Sequence, residues 1–134
     1  MSIIYDVLKE DLMVADVDLV TDVINVALMG SGHVETVSDQ VWGNVSAQEI
    51  AGTAYVAGGQ VLANKTVTLL TPTSTWDADD STWLVATFSA FYAVIYDITN
   101  TSSLICSINF GGAQSVVAGT FTIEWDSAGI ISLT

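Results

Sequence analysis

Hydrophobic side chains recur at every second position along much of this chain, and that period of two limits the fold more than any other feature. The clearest case is Thr120–Trp125, where Phe121, Ile123 and Trp125 alternate with polar residues. Successive side chains of a β-strand point to opposite faces of a sheet, so this alternation predicts a half-buried strand. Further strands are predicted over residues 22–29, 60–70, 83–98 and 104–110, with short extended pieces at 115–117 and 130–133.

Turn-forming residues separate these segments. Gly30-Ser31-Gly32, Gly58-Gly59 and Gly111-Gly112 each predict a turn, and the single proline, Pro72, predicts another. Ser46 and Glu49 have the spacing of a capping box, which predicts one helical turn over residues 46–51. These breaks divide the chain into short strands of the kind found in all-β domains.

The first residues follow a different period. Ile4, Val7, Leu8 and Leu12 lie near helical spacing, which predicts a short amphipathic helix over residues 4–13. The opposite, solvent-facing side is predicted to carry the acidic residues Asp6, Glu10 and Asp11. Residues 88–96 are apolar on both faces, which is typical of a central strand. Together, the strand and helix patterns predict one mainly β domain over residues 1–134. We expect an antiparallel β-sandwich or barrel-like domain with a short N-terminal helix.

The charge balance excludes several classes of partner. Fifteen carboxylates are opposed only by Lys9 and Lys65, and the formal net charge is −13. Nucleic acids are bound mainly through Lys and Arg, and anionic membranes attract the same residues, so neither is an expected partner. The N-terminal residues lack the basic flank and long apolar stretch of a signal peptide, and no apolar run approaches the ~20 residues of a membrane span.

Sequence motifs give no support for an enzyme. His33 is the only histidine and Cys106 the only cysteine, so histidine-based triads and cysteine–histidine metal sites lack their members. We expect His33 to be a polar loop residue and Cys106 a buried, inert thiol. Gly30-Ser31-Gly32 follows a strand but lacks the lysine of a phosphate-binding loop. No cofactor is expected.

Two groups of residues remain as candidate sites. Asp77, Asp79 and Asp80 form an acidic loop that is a weak candidate for calcium, since the complete twelve-residue calcium loop is absent; a solvated turn is the favoured interpretation. The second group contains aromatic residues beside loops, which we expect at a subunit interface rather than in a sugar-binding platform. Its members are Trp42, Trp76, Trp83 and Tyr55.

Over nearly its whole length the chain resembles a family of small, capsid-associated virion proteins of tailed bacteriophages. The resemblance is carried by Tyr5–Leu12, Asp22–Leu28, Trp42–Tyr55, Ala57–Thr68, Trp76–Trp83, Tyr92–Tyr96, Ile108–Gly111 and Phe121–Ile131.

The resemblance implies a structural protein without enzymatic activity, located in the virion at the outer capsid surface. The expected role is decoration or cement, with the major capsid protein as partner and a homo-oligomer, either a trimer or a dimer, as the binding unit. The alternative is a tail or head-fibre module that acts as a connector or binds host carbohydrate.

Overall fold

The computed structural model describes residues 2–134 and consists of two open antiparallel sheets with one short helix at the N-terminus. The predicted sandwich is therefore confirmed, and neither sheet closes into a barrel. In chain order the elements are β1 (Ile3–Ile4), α1 (Asp6–Met13), β2 (Ile24–Met29), α2 (Trp42–Val45), a 3-10 turn (Ser46–Gln48), β3 (Gln60–Val61), β4 (Thr66–Leu70), β5 (Thr73–Asp77), β6 (Ser81–Asp97), β7 (Ser103–Ile123) and β8 (Ile131–Leu133).

The larger sheet has the strand order β1-β7-β6-β2-β3 and is built around one long hairpin. Strands β6 and β7 are antiparallel along their whole length. Asp97 pairs with Ser103 beside the connecting loop, and Ser81 pairs with Ile123 at the other end. Strand β2 pairs with only the last six residues of β6, and β1 pairs with only Ser107 and Cys106 of β7. The flanking strands therefore cover one end of the hairpin and leave the other end open.

The smaller sheet, β4-β5-β8, packs against one face of the larger sheet. Trp76 and Ile131 of the small sheet join Val26, Leu28 and Ile95 of the large sheet in the main hydrophobic core. Burial of this apolar surface is the dominant stabilising contribution to such a fold. All six residues of β2 are buried, as expected for a strand covered on both faces.

Residues around α2 and the N-terminal segment cover the opposite face of the large sheet. There a second, smaller cluster contains Tyr5, Met29, Val45 and Leu104. The helix α1 confirms the predicted N-terminal helix, and Leu8 is on its buried side. Asp11 was predicted to face solvent, and that prediction is wrong: it is buried at the edge of the helix, where it accepts a hydrogen bond from the Ser103 hydroxyl.

Three predicted segments differ from the structure. The predicted strand over residues 60–70 is two strands, because the chain crosses from the large sheet to the small sheet between β3 and β4. Asn64 makes that crossing with a positive φ of 52°. Strand β5 was not predicted at all. The helical turn near residues 46–51 begins earlier, at Trp42, and Glu49 does not cap it but accepts hydrogen bonds from the Tyr55 hydroxyl and the Gly58 backbone N–H.

The predicted turn at Gly111-Gly112 is wrong, because β7 continues through it. The strand bulges there: residues between Asn109 and Gln114 lie opposite the single residue Phe91. Both glycines have positive φ values, 80° and 150°, which the bulge uses without steric cost. The glycine pair therefore marks a bend within β7 and not the end of a strand.

Candidate interaction surfaces

The uncovered end of the β6–β7 hairpin is the first candidate surface, and we call residues 81–91 and 110–123 the open ribbon. Apart from a bridge between Thr53 and Thr87, its strands pair only with each other among residues 2–134. One face of the ribbon packs on the core and the other faces solvent. The ribbon is therefore a two-stranded part of the large sheet, and both of its edges are largely free.

Aromatic rings fill the inner face of the open ribbon. Phe88 lies 5.0 Å from Phe121 and 6.3 Å from Trp83 between ring centroids, within the range of favourable aromatic pairs. Phe110 and Phe121 are also neighbours, at 6.4 Å, although a straight strand would separate residues eleven positions apart by about 36 Å. The bulges therefore bend β7 around this aromatic cluster.

The outer face carries hydroxyl and alkyl groups. Two cross-strand hydroxyl pairs lie on it, Ser89–Ser115 at 2.6 Å and Thr82–Thr122 at 3.3 Å between oxygens. Exposed apolar side chains, Leu84, Val85 and Val117, lie among them. Val85 also adopts a φ of 50°, a conformation that β-branched residues rarely take. The surface is thus uncharged and locally strained.

Charge is nearly absent from the whole hairpin. Between Ser81 and Ile123 the only charged residue is Asp97, although the chain carries 15 carboxylates. Asp97 is fully buried, and burial together with the nearby Asp22 carboxyl raises its pKa to about 7. Its Oδ1 accepts a hydrogen bond from the Asn100 backbone N–H. No carboxylate of the hairpin therefore reaches its outer surface.

The second candidate surface is an apolar groove between α1 and the small sheet. Its volume is about 350 Å³, and it is open along one side. Leu12 and Met13 of α1 form one wall, Val67, Ile131 and Leu133 of the small sheet form the other, and Lys9 is its only charged lining residue. Such a groove is suited to apolar side chains.

The aromatic residues predicted at an interface are largely internal. Trp76 and Trp83 are only 2% and 4% exposed, and the Trp76 indole N–H donates to the Leu19 carbonyl at 2.8 Å. They belong to the core because they alternate onto the inner faces of β5 and β6, so their rings are not available to a partner. Trp42 is half-buried and stacks on Tyr96 with centroids 4.5 Å apart.

Tyr55, the fourth predicted interface residue, is also half-buried and is tied into the chain. Its hydroxyl donates to Glu49 at 2.6 Å and accepts from the Leu28 backbone N–H at 2.9 Å. Burial, followed by the hydrogen bond to Glu49, raises the pKa of Tyr55 above its usual range. The residue therefore connects the loop of residues 49–59 to the large sheet.

The acidic loop is organised by hydrogen bonds within the chain. Asp77 Oδ1 accepts from the Ala78 backbone N–H, Asp79 Oδ2 from the Asn64 side chain, and Asp80 Oδ1 from the Trp125 backbone N–H. In the part of the chain that the structure describes, no three His, Cys, Asp or Glu side chains are grouped to hold a metal ion. Calcium binding by this loop stays a prediction.

His33 lies in the loop after Gly32, as predicted, but its side chain is inside the fold. It is buried, its Nε2 lies 3.1 Å from the Ser107 hydroxyl oxygen, and its ring contacts Tyr92 edge to face at 4.9 Å. Burial lowers its pKa, with Asp39 acting in the opposite direction. Ser107 is fully buried, so a substrate could not reach its hydroxyl without opening the core. The pair satisfies two polar groups inside the fold.

Cys106 is buried, as predicted, and burial raises the pKa of its thiol to about 12. A thiol with so high a pKa has almost no nucleophilic thiolate at neutral pH. Within residues 2–134, no helix is long and apolar enough to cross a membrane.

Comparison with protein-family models, with curated proteins and with solved structures found no match for this chain.

Proposed function

We propose that this protein is a non-enzymatic structural component of a tailed-bacteriophage virion, which decorates the outer capsid and stabilises the assembled shell. The observation that carries the proposal is the uncharged outer face of the open ribbon, on a chain whose net charge is −13. The sequence resemblance to capsid-associated phage proteins supplies the class of partner, the major capsid protein.

An uncharged surface is suited to lasting contact with another protein. Burying a charged group requires stripping its water, which costs several kcal/mol unless a partner charge replaces it. The outer face of the ribbon instead offers Leu84, Val85 and Val117 for apolar contact, and paired hydroxyls that already satisfy one another. The cores of protein interfaces are likewise depleted of charged residues.

The remaining charge favours the outside of a shell over its inside. Packaged DNA presents a dense array of phosphates, which would repel fifteen carboxylates opposed by two lysines. The outer surface of a capsid faces solvent, where carboxylates remain hydrated. Their charge would also discourage non-specific association.

Stabilisation would follow from selective binding. A protein that binds the assembled shell, and not its separated subunits, stabilises assembly by mass action, about 2.7 kcal/mol per site at a concentration one hundred times Kd. Each of the many equivalent sites on one shell would contribute in this way. No chemical step is required of the bound protein.

The alternative is a tail or head-fibre module, acting as a connector or binding host carbohydrate. A sugar platform needs accessible aromatic rings, and burial of Trp76 and Trp83 removes two of the four rings considered for it. The connector role would use the same open ribbon as the capsid proposal. Location on the particle therefore separates the two.

The first experiment is a cryo-electron microscopy reconstruction of the phage whose genome encodes this chain. We expect density for the two-sheet domain on the outer shell, with the open ribbon against the major capsid protein. Density confined to the tail or fibres would replace the capsid role with the connector role. Absence of the chain from purified virions, checked by mass spectrometry, would reject both.

A binding experiment tests the surface itself. Val117→Lys should weaken binding to shells stripped of this protein by at least about tenfold, because a desolvated, unpaired charge at an interface costs more than about 1.4 kcal/mol. Val34→Lys is the matched control, since Val34 is exposed to a similar degree, 70% against 80%, but lies outside the ribbon. Equal binding by both variants would contradict the assignment of the ribbon.

A further inference from the structure

We infer that strand β4 and the adjoining apolar groove form a self-association surface, through which two copies of this chain pair as a two-fold dimer. The inference concerns the purified chain and does not depend on the capsid proposal. It starts from β4, the outermost strand of the small sheet, in which all five residues are exposed.

An exposed strand at the edge of a sheet presents unpaired backbone N–H and C=O groups, and monomeric proteins usually protect such an edge with charges, prolines or bulges. Strand β4 has none of these within it. Its sequence is Thr66-Val67-Thr68-Leu69-Leu70, and its pairing with β5 is continuous without a bulge. The open edge is therefore competent to pair with another strand.

The strand is complementary to itself. When two copies of β4 pair antiparallel about Thr68, Val67 of one copy lies opposite Leu69 of the other. Residues 67 and 69 share one face of the strand because side chains alternate, and that face is the one on which Val67 lines the apolar groove. Pairing therefore adds apolar side chains of the second copy to the wall of the groove of the first.

Charge also favours this surface for a second copy. Two chains of net charge −13 repel each other, so they approach best where carboxylates are fewest. No carboxylate occurs between Glu49 and Asp77, a range that includes β4. Lys65, one of the two lysines, directly precedes β4. The other, Lys9, lines the groove and is paired with Asp6 at 2.7 Å, so that carboxylate is neutralised there.

A two-fold arrangement follows from the geometry of the pairing. Antiparallel pairing of identical edges uses the same residues on both copies, which closes the assembly at two subunits. The result would be a continuous six-stranded sheet made from two three-stranded sheets. Of the two predicted oligomers, dimer and trimer, the structure thus favours the dimer.

Sedimentation equilibrium of the purified chain tests the inference. The buffer should contain 0.15 M salt, which screens charge repulsion beyond about 8 Å. We expect a mass of twice 14.1 kDa for the unmodified protein and 14.1 kDa for Leu69→Lys. Leu84→Lys is the matched control, because Leu69 and Leu84 are 68% and 67% exposed, and it should remain a dimer. A monomeric unmodified protein, or a dimer that Leu69→Lys leaves intact, would overturn the inference.

A crosslinking variant tests the register and remains informative where Leu69→Lys does not fold. Thr68→Cys should form an intermolecular disulfide under mild oxidation, since the two Thr68 residues face each other in the proposed dimer. The buried Cys106 does not compete, and Thr122→Cys, on the open ribbon, is the control that should stay uncrosslinked. Equal crosslinking of both variants, or none in Thr68→Cys, would refute the proposed pairing.

Discussion

The two ends of the β6–β7 hairpin are made from the same pair of strands, yet they have opposite environments. At the closed end, Val94, Ile95 and Leu104 are fully buried beneath other elements on both faces of the sheet. At the open ribbon, buried aromatic residues alternate with exposed Thr, Ser, Leu and Val. One strand can therefore serve as core at one end and as a surface at the other, and the change occurs where its neighbours β1 and β2 stop.

The largest expected difference between the two ends is in the cost of shortening an aliphatic side chain. Ile95→Ala should lower the free energy of unfolding by about 3 kcal/mol, because it leaves a cavity in a fully buried site. Leu84→Ala, on the outer face of the ribbon, should change it by less than about 0.5 kcal/mol. Urea denaturation of both variants measures this contrast. Equal losses would mean that the ribbon is covered in solution.

A second difference concerns the only charge of the hairpin, and it is measured through pH. The pKa of Asp97 is about 7 in the folded chain, against about 3.9 for an unperturbed aspartate in the unfolded chain. The folded state therefore binds more protons between these values, so this group's contribution to stability is complete below pH 4 and is lost as the pH rises towards 7. Above pH 7 the contribution does not change further.

Asp97→Asn should remove that contribution. We expect its melting temperature to exceed that of the unmodified protein at pH 8 and the difference to shrink as the pH falls to 5. Asp18→Asn is a useful contrast, because backbone N–H groups of Val20 and Thr21 lower the pKa of Asp18. The stability that this carboxylate contributes is constant between pH 5 and 8 and is lost only below about pH 4, so the effect of Asp18→Asn should not vary over that range. A melting-temperature difference for Asp97→Asn that does not vary with pH would contradict the raised pKa.

The smallest expected effect comes from the strained residue of the ribbon. Val85→Gly should stabilise the chain by about 0.5 kcal/mol, since relief of a positive φ, worth about 1–2 kcal/mol, exceeds the entropy cost of glycine. Val85→Ala keeps a Cβ atom and should give little of that gain. Thermal unfolding of the two variants provides the comparison, and equal stabilities would show that no backbone strain is stored at this position.

The contrast between the two ends also explains how far sequence could predict the fold. Strand β2 is apolar except for Asn25, the covered part of β6 is apolar as far as Asp97, and both strands were predicted. Strand β5 was missed because Trp76 is its only large apolar residue among Thr and Ser. The burial of Trp83 was missed because a bulge after it disturbs the alternation towards Phe88.

The candidate surfaces were less predictable than the fold. Composition showed that charge was scarce, but the open ribbon exists only because β1 and β2 are shorter than their partners, a tertiary property. The burial of His33 likewise depends on Ser107, 74 positions away in the chain. The groove combines residues of α1, β4 and β8, and no local pattern brings these segments together.

The pairing of β1 with β7 has a consequence for how the chain reaches this fold. Ile3 and Ile4 pair with Ser107 and Cys106, so the large sheet is completed only by joining segments about one hundred positions apart. Closing so long a loop is entropically costly and slows folding of sheets dominated by distant contacts. On the ribosome, β1 emerges about one hundred residues before its partner in β7, and its apolar residues stay exposed to chaperones until then.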